Sequence, residues 1–307
     1  MTAGQPRGEG APARAGRPAP VRAAMWMVLS AAGFSAMTAL IRHVSFGMHP
    51  FEIAFFRSLF GMLLLAPWVL RLGATHLKTR RLALHAWRGV ASVGALLAYF
   101  FAVTLIPLAE AAALTFTAPL FATACAGLVL AERVGWRRWS AVVAGFAGVL
   151  IILRPDVQVV SWPAMLVLVA SVFVAAEILF TKALTSTESP ETIVFYMGVL
   201  VTPFALVPAI TVWVTPTLAQ LGWLLALAAA ATAGHIGVAR AFRLVDATAV
   251  LPIDFTKLIF IASFGYLFFD EVPDALTWLG GVVIFSAAFY TAHREARRRV
   301  GARAEAR

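Results

Sequence analysis

Five ionisable side chains lie inside long apolar runs of this 307-residue sequence: Arg57, Glu177, His235, Asp254 and Lys257. A charge in a hydrocarbon interior costs roughly 2.5 to 3.5 kcal/mol on insertion scales, so each of these groups has to face protein or water and is a candidate for binding or proton transfer. Asp254 and Lys257 are spaced i, i+3 and share a helix face, where they neutralise each other; a silent structural pair competes with a binding role. Glu177 has no charged neighbour within one helical turn, only Thr181 at i+4. It is a candidate proton carrier, with hydrogen-bonded packing between helices as the plain alternative. His235 stands alone on an Ala/Gly-rich stretch, either titrating or packing, and no second His or Cys nearby points to a metal. Arg57 sits in the segment FFRS, where snorkelling or a bond to a carbonyl competes with contact to an anion.

Weaker candidates are hydroxyl groups and rings. Tyr99 combines a planar face with a polar tip that suits a cavity wall. Thr115 and Thr117 either turn their hydroxyls inward or bond back to their own helix. Other aromatic residues in these runs, including Phe116, Phe173 and Phe255, are ordinary packing groups. No phosphate-binding glycine loop, zinc spacing or nucleophile elbow occurs, so no cofactor, metal or ATP-driven cycle is expected. The lone cysteine, Cys125, supplies neither a disulfide framework nor a thiol metal site.

The elements that position these groups follow from composition. With 61% hydrophobic and 13% charged residues, the chain cannot be divided into a soluble core and a polar shell. A bilayer is the matching solvent, and long apolar runs argue for helices over barrel strands. Runs of roughly 17 to 25 residues predict spans at 24–41, 51–70, 87–106, 111–131 and 137–153, then 163–183, 192–213, 221–241, 248–269 and 276–292. Residues 1–22, rich in Ala, Gly, Pro and Arg, read as a disordered tail, and 294–307 as a basic one. On this layout Glu177, His235 and Asp254 fall at one depth, roughly 9 Å inside the cytoplasmic boundary at a helical rise of about 1.5 Å per residue.

Orientation comes from basic residues. Of the 25 Lys and Arg, Arg42 and Arg154 fall in outside segments, Arg57 and Lys257 lie in spans, and the rest lie on one side, which makes both termini cytoplasmic. The net charge of +10 is thus explained by topology, and nucleic acid is not expected as a partner. A shift of 139 residues superposes Val28 on Val167, Phe34 on Phe173, Glu52 on Glu191, Phe116 on Phe255, Glu132 on Glu271 and Trp139 on Trp278. Five helices per repeat is an odd number, so the second half enters from the opposite face: an inverted repeat with a midplane site. Glu132 and Glu271 end helices four and nine at opposite faces and read as caps or gate contacts.

The stretch FEIAFFRSLFGMLLLAPWVLR (Phe51–Arg71), the region Arg88–Pro155 containing IPLAEAAALTFTAPLFATACAGLVLAERVGWRRW, and PIDFTKLIFIASFGYLFFDEVPD (Pro252–Asp274) together resemble the EamA-type drug/metabolite transporter superfamily. The resemblance spans about residues 24–292 and points to a ten-helix, exporter-like member. It implies a central cavity bordered by helices six, eight and nine, cytoplasmic termini and a small organic cargo. Members move amino acids, nucleotide-like metabolites, vitamins such as riboflavin, sulfonium compounds and drugs.

The expectation is therefore an all-α integral membrane protein of ten transmembrane helices in two inverted repeats, 24–154 and 163–292. It is read as a secondary transporter or facilitator of a small organic metabolite in the cytoplasmic (inner) membrane. Protons are a candidate second partner, and the chain works as a monomer or homodimer. An intramembrane enzyme or a membrane scaffold is the alternative, but an enzyme needs convergent catalytic groups.

Overall fold

The computed structural model describes residues 19–72, 79–118, 120–122, 136–153, 161–245, 250, 253–254, 256–287 and 289–290. All regular structure among them is helical. The first half holds α1 (Ala19–Ser45), α2 (Pro50–Leu72), α3 (Leu82–Ala102), α4 (Leu108–Thr115) and α5 (Trp136–Leu153). The second holds α6 (Trp162–Leu184), α7 (Pro190–Ile210), α8 (Leu218–Leu244), α9 (Thr256–Phe269) and α10 (Ala275–Ala287). Five of these, α1, α2 over Pro50–Trp68, α6, α7 and α8, are long and apolar enough to cross a membrane.

Helix starts follow capping chemistry. Ser161 and Ser189 accept from the amides of Ala164 and Thr192 to cap α6 and α7, and Thr217 with Gln220 forms a capping box on α8. The outer surface is apolar: Val143, Val207 and Leu267 are about two-thirds exposed, which suits lipid and not water. Inside, close helix approach replaces the hydrophobic drive that lipid removes. A Cβ on Gly33 would stand 2.7 Å from the carbonyl oxygen of Ala230, and one on Gly280 would stand 2.7 Å from that of Gly148. Small residues therefore set the α1–α8 and α5–α10 crossings.

The most extensive contacts are α1 with α8, α3 with α6 and α2 with α7, followed by α1 with α9, α2 with α8 and α3 with α7. Exchanging the halves turns α1–α8 into α3–α6 and α2–α8 into α3–α7, and returns α2–α7 to itself.

Several boundaries differ from the hydropathy reading. α1 begins at Ala19, so the last residues of the expected 1–22 tail are helical. α3 runs from Leu82 to Ala102 and not from 87 to 106: it closes before Pro107, where the amides of Thr104 and Leu105 bond three residues back to Phe101 and Ala102. α4 ends at Thr115, where the amides of Phe116 and Thr117 bond three residues back in a tighter turn. The described part of α9 is Thr256–Phe269, and the expected start at 248 lies outside the described residues. Cys125, Glu132, Arg154, Pro252, Phe255 and residues 294–307 lie outside the described residues.

Candidate functional site

A cavity of about 230 Å³ lies between the halves, and Arg57, Tyr99, Thr115, Glu177, His235, Asp254 and Lys257 all line it. Arg57 from α2 places Nη2 2.6 Å from Nε2 of His235 on α8. A guanidinium has no acceptor, so the imidazole accepts at Nε2 and carries its proton on Nδ1. That nitrogen faces Oε1 of Glu177 on α6 at 3.9 Å, beyond direct hydrogen-bonding reach. The same oxygen accepts from Nη2 of Arg88 on α3 at 3.0 Å, and Arg88 Nε donates to the Thr181 hydroxyl at 2.8 Å. Five side chains from four helices thus form one line: Arg57, His235, Glu177, Arg88, Thr181. Phe34 packs its ring at 88° to His235, 4.9 Å between centroids, which holds the imidazole plane.

Asp254 and Lys257 form a second cluster. Their charges stand 3.5 Å apart at the i, i+3 spacing, and the ammonium lies over the rings of Phe34 at 5.8 Å and Phe116 at 5.5 Å. Tyr99 completes the wall, with its hydroxyl 3.1 Å from that of Thr38. Thr115 lines the cavity while donating to the Ala112 carbonyl at 2.7 Å.

Three sequence expectations change here. Glu177 was expected to lack a cation; Arg88 supplies one from another helix, so the carboxylate is paired. Arg57 neither snorkels nor bonds a carbonyl, since its partner is His235. Thr117 is fully buried, gives its hydroxyl to Leu114 at 2.7 Å and does not line the cavity, because the tightened turn after Thr115 rotates it away. Arg88 is the residue that sequence reasoning missed, by counting it with the cytoplasmic charges at the start of its span. The signal was Glu177 itself, since a buried carboxylate without a partner on its own helix calls for a cation from another.

With the imidazole neutral, the cavity holds three cations, Arg57, Arg88 and Lys257, against two carboxylates, Glu177 and Asp254. Such a site can bind and orient a polar solute, but it offers no nucleophile with its base and, among the described residues, no group of metal ligands.

The sequence matches the model of the EamA-like transporter family over residues 21–154 and again over 161–292. The chain belongs to the EamA-like transporter family. This transporter is 29% identical over 270 residues to the S-adenosylmethionine uptake transporter of Rickettsia bellii (strain RML369-C), covering 88% of this chain and 93% of that one. It is 32% identical over 279 residues to the riboflavin transporter of Vibrio cholerae, covering 89% and 93%. To the pseudopaline exporter CntI of Pseudomonas aeruginosa (strain UCBPP-PA14) it is 33% identical over 262 residues, covering 85% and 92%. A solved crystal structure shares the fold at 16% identity and a TM-score of 0.61, covering 90% of this chain and 98% of that one. The protein is a multi-pass membrane transporter of small metabolites and not an enzyme.

Proposed function

We propose that the transporter is a secondary carrier with ten membrane spans in two inverted five-helix repeats, moving its cargo across the cytoplasmic membrane by alternating access with both termini cytoplasmic. The observation that carries this reading is the mixed parentage of the cavity. Arg57, Arg88 and Tyr99 come from the first half; Glu177, His235, Asp254 and Lys257 come from the second. Rocking one half against the other would remake the whole lining, as inverted repeats around a midplane site do. Further support comes from Lys182 near the end of α6, which bonds the carbonyls of Phe242 and Val245 at the end of α8, beside the start of α1. α6 therefore runs opposite to its repeat partner α1. The crowding of Lys and Arg on one side supports the cytoplasmic termini.

The cavity's cation excess and aromatic walls favour a cargo with an anionic group and a flat or apolar body. Lys257 is the anchor: among the described residues its ammonium makes an ion pair with Asp254 but no hydrogen bond, whereas Arg57 and Arg88 are engaged. His235 is the candidate proton site. Protonation at Nε2 removes the acceptor that Arg57 uses and adds a charge facing Arg57, Arg88 and Glu177.

Counterflow in proteoliposomes tests the reading. With labelled S-adenosylmethionine, riboflavin and the metabolites that differ between cells with and without the protein, at least one should exchange, and exchange should fall in Lys257→Met. No exchange of any of them would sink the carrier.

A further inference from the structure

Arg42 ends α1 as the hub of a clamp. Its Nη1 pairs with Oε1 of Glu271 at 3.0 Å, Nε and Nη2 donate to the Val103 carbonyl at 3.0 and 2.9 Å, and Nη2 also donates to the carbonyl of Ile106. Glu271 uses its other oxygen to accept the Leu108 amide at 2.7 Å, capping α4. Asp270, at φ 54°, turns the chain out of α9 immediately before Glu271. One ion pair thus ties together α1, the α3–α4 junction and the exit from α9, elements that belong to both halves.

The accepting carbonyls of the clamp have repeat-related copies, while the cation there is one residue out of register, since Arg42 maps onto Thr181 and its neighbour Lys182 takes the role. Adding 139 to Val103 and Ile106 gives Phe242 and Val245, whose carbonyls accept from Lys182 Nζ at 2.8 and 3.2 Å. Phe242 packs with Ala23 near the start of α1, while Arg42 stands near its end. At about 1.5 Å per residue the two clamps lie roughly 28 Å apart along α1, against about 30 Å for the hydrocarbon of a bilayer. The cavity lies between them. Its lining on α1 runs from Met27 to Thr38, one turn short of Arg42, and at the other end it includes Phe242 itself.

We propose that Arg42 and Glu271 are the gate at the end of the cavity remote from the chain's N-terminus. Their ion pair breaks when that end opens, and the Lys182 clamp gates the opposite end. Both groups of the pair keep some exposure, 15% and 19% of their side chains, so water can solvate them on separation and the pair is a breakable one.

This gate rests on the alternating-access reading, but its test reads access without cargo, so a failed counterflow assay leaves the result interpretable. Ser92 lines the cavity with its hydroxyl buried and, among the described residues, unpartnered, so Ser92→Cys in a Cys125→Ala background is a mild reporter that labels slowly until one end opens. Phe46→Cys and Ser186→Cys, at exposed positions beyond α1 and α6, mark the two sides. A membrane-impermeant methanethiosulfonate reagent is applied to cells and to inverted vesicles. Glu271→Gln and Arg42→Gln should each speed Ser92→Cys labelling at least about tenfold from the Phe46 side only, because loss of the pair shifts population toward the state open there. Lys182→Gln should speed it from the Ser186 side. Unchanged rates, equal acceleration from both sides, or failure of both Glu271→Gln and Arg42→Gln to reach the membrane would each overturn the gate and assign the pair to folding.

Discussion

Arg88 on α3 and Glu177 on α6 meet at 3.0 Å with side chains only 3% and 14% exposed, which makes them a buried ion pair bridging the two halves. Removing one partner of such a pair leaves an uncompensated charge and costs about 3 to 5 kcal/mol. Glu177→Gln should therefore lower the unfolding midpoint in detergent as well as transport. Arg88→Met combined with Glu177→Gln should regain most of the stability and little of the transport. Full transport in the double variant would reduce the pair to packing.

His235 carries the pH prediction. As pH falls, protonation of Nε2 ends its acceptance from Arg57 and places a cation facing Arg57 and Arg88, with Glu177 alone attracting it. If protons accompany cargo, wild-type transport should change with pH, and His235→Gln should flatten that profile while the protein stays in the membrane. A His235→Gln profile identical in shape to the wild type would remove protons from this layer.

The Asp254–Lys257 pair separates structure from binding. Asp254→Asn leaves Lys257 over two rings without its counter-ion, and should cost more stability than Asp254→Asn with Lys257→Met. Melting curves should show that recovery. Transport should stay at least about tenfold down in the double variant, the loss expected when one charge-assisted contact of roughly 1.5 to 3 kcal/mol is removed. Wild-type transport in the double variant would make Lys257 a structural cation.

Cysteine substitution distinguishes wall from packing. In a Cys125→Ala background, Tyr99→Cys and Thr115→Cys should react with water-soluble thiol reagents and be slowed by cargo. Thr117→Cys should stay inert, since that side chain is fully buried. Rapid labelling at 117 would place the turn after Thr115 differently.

Topology has its own test. Reporter fusions after Arg81 and Arg138 should read cytoplasmic, and fusions after Val159 and Asp274 external. The reverse pattern at two or more of them would sink the inverted repeat.

The sequence by itself determined what depends on properties local in the chain. Apolar run length called for a membrane and helices, the shift of 139 residues divided the chain into two halves, and the motif stretches pointed to the family. Glu177, His235, Asp254 and Lys257 were legible as candidates because an ionisable group in hydrocarbon is costly wherever it sits. Their partners were not legible. Arg57 and His235 are separated by 178 residues and Arg88 and Glu177 by 89. Nothing in a hydropathy window encodes distances across helices. Arg88 was counted with the cytoplasmic charges for the same reason: at the start of a span a charge reads as interfacial, whereas the folded bundle buries it against a carboxylate from another helix. The exclusion of Thr117 and the joining of Arg42 to Glu271 were likewise decided by tertiary structure. A local turn rotates one away from the cavity, and the exchange-symmetric packing of the halves brings the other two within 3.0 Å across 229 residues. Desolvation made these groups conspicuous one at a time; only the packing of α1, α2, α3, α6, α8 and α9 determined which charges neutralise one another.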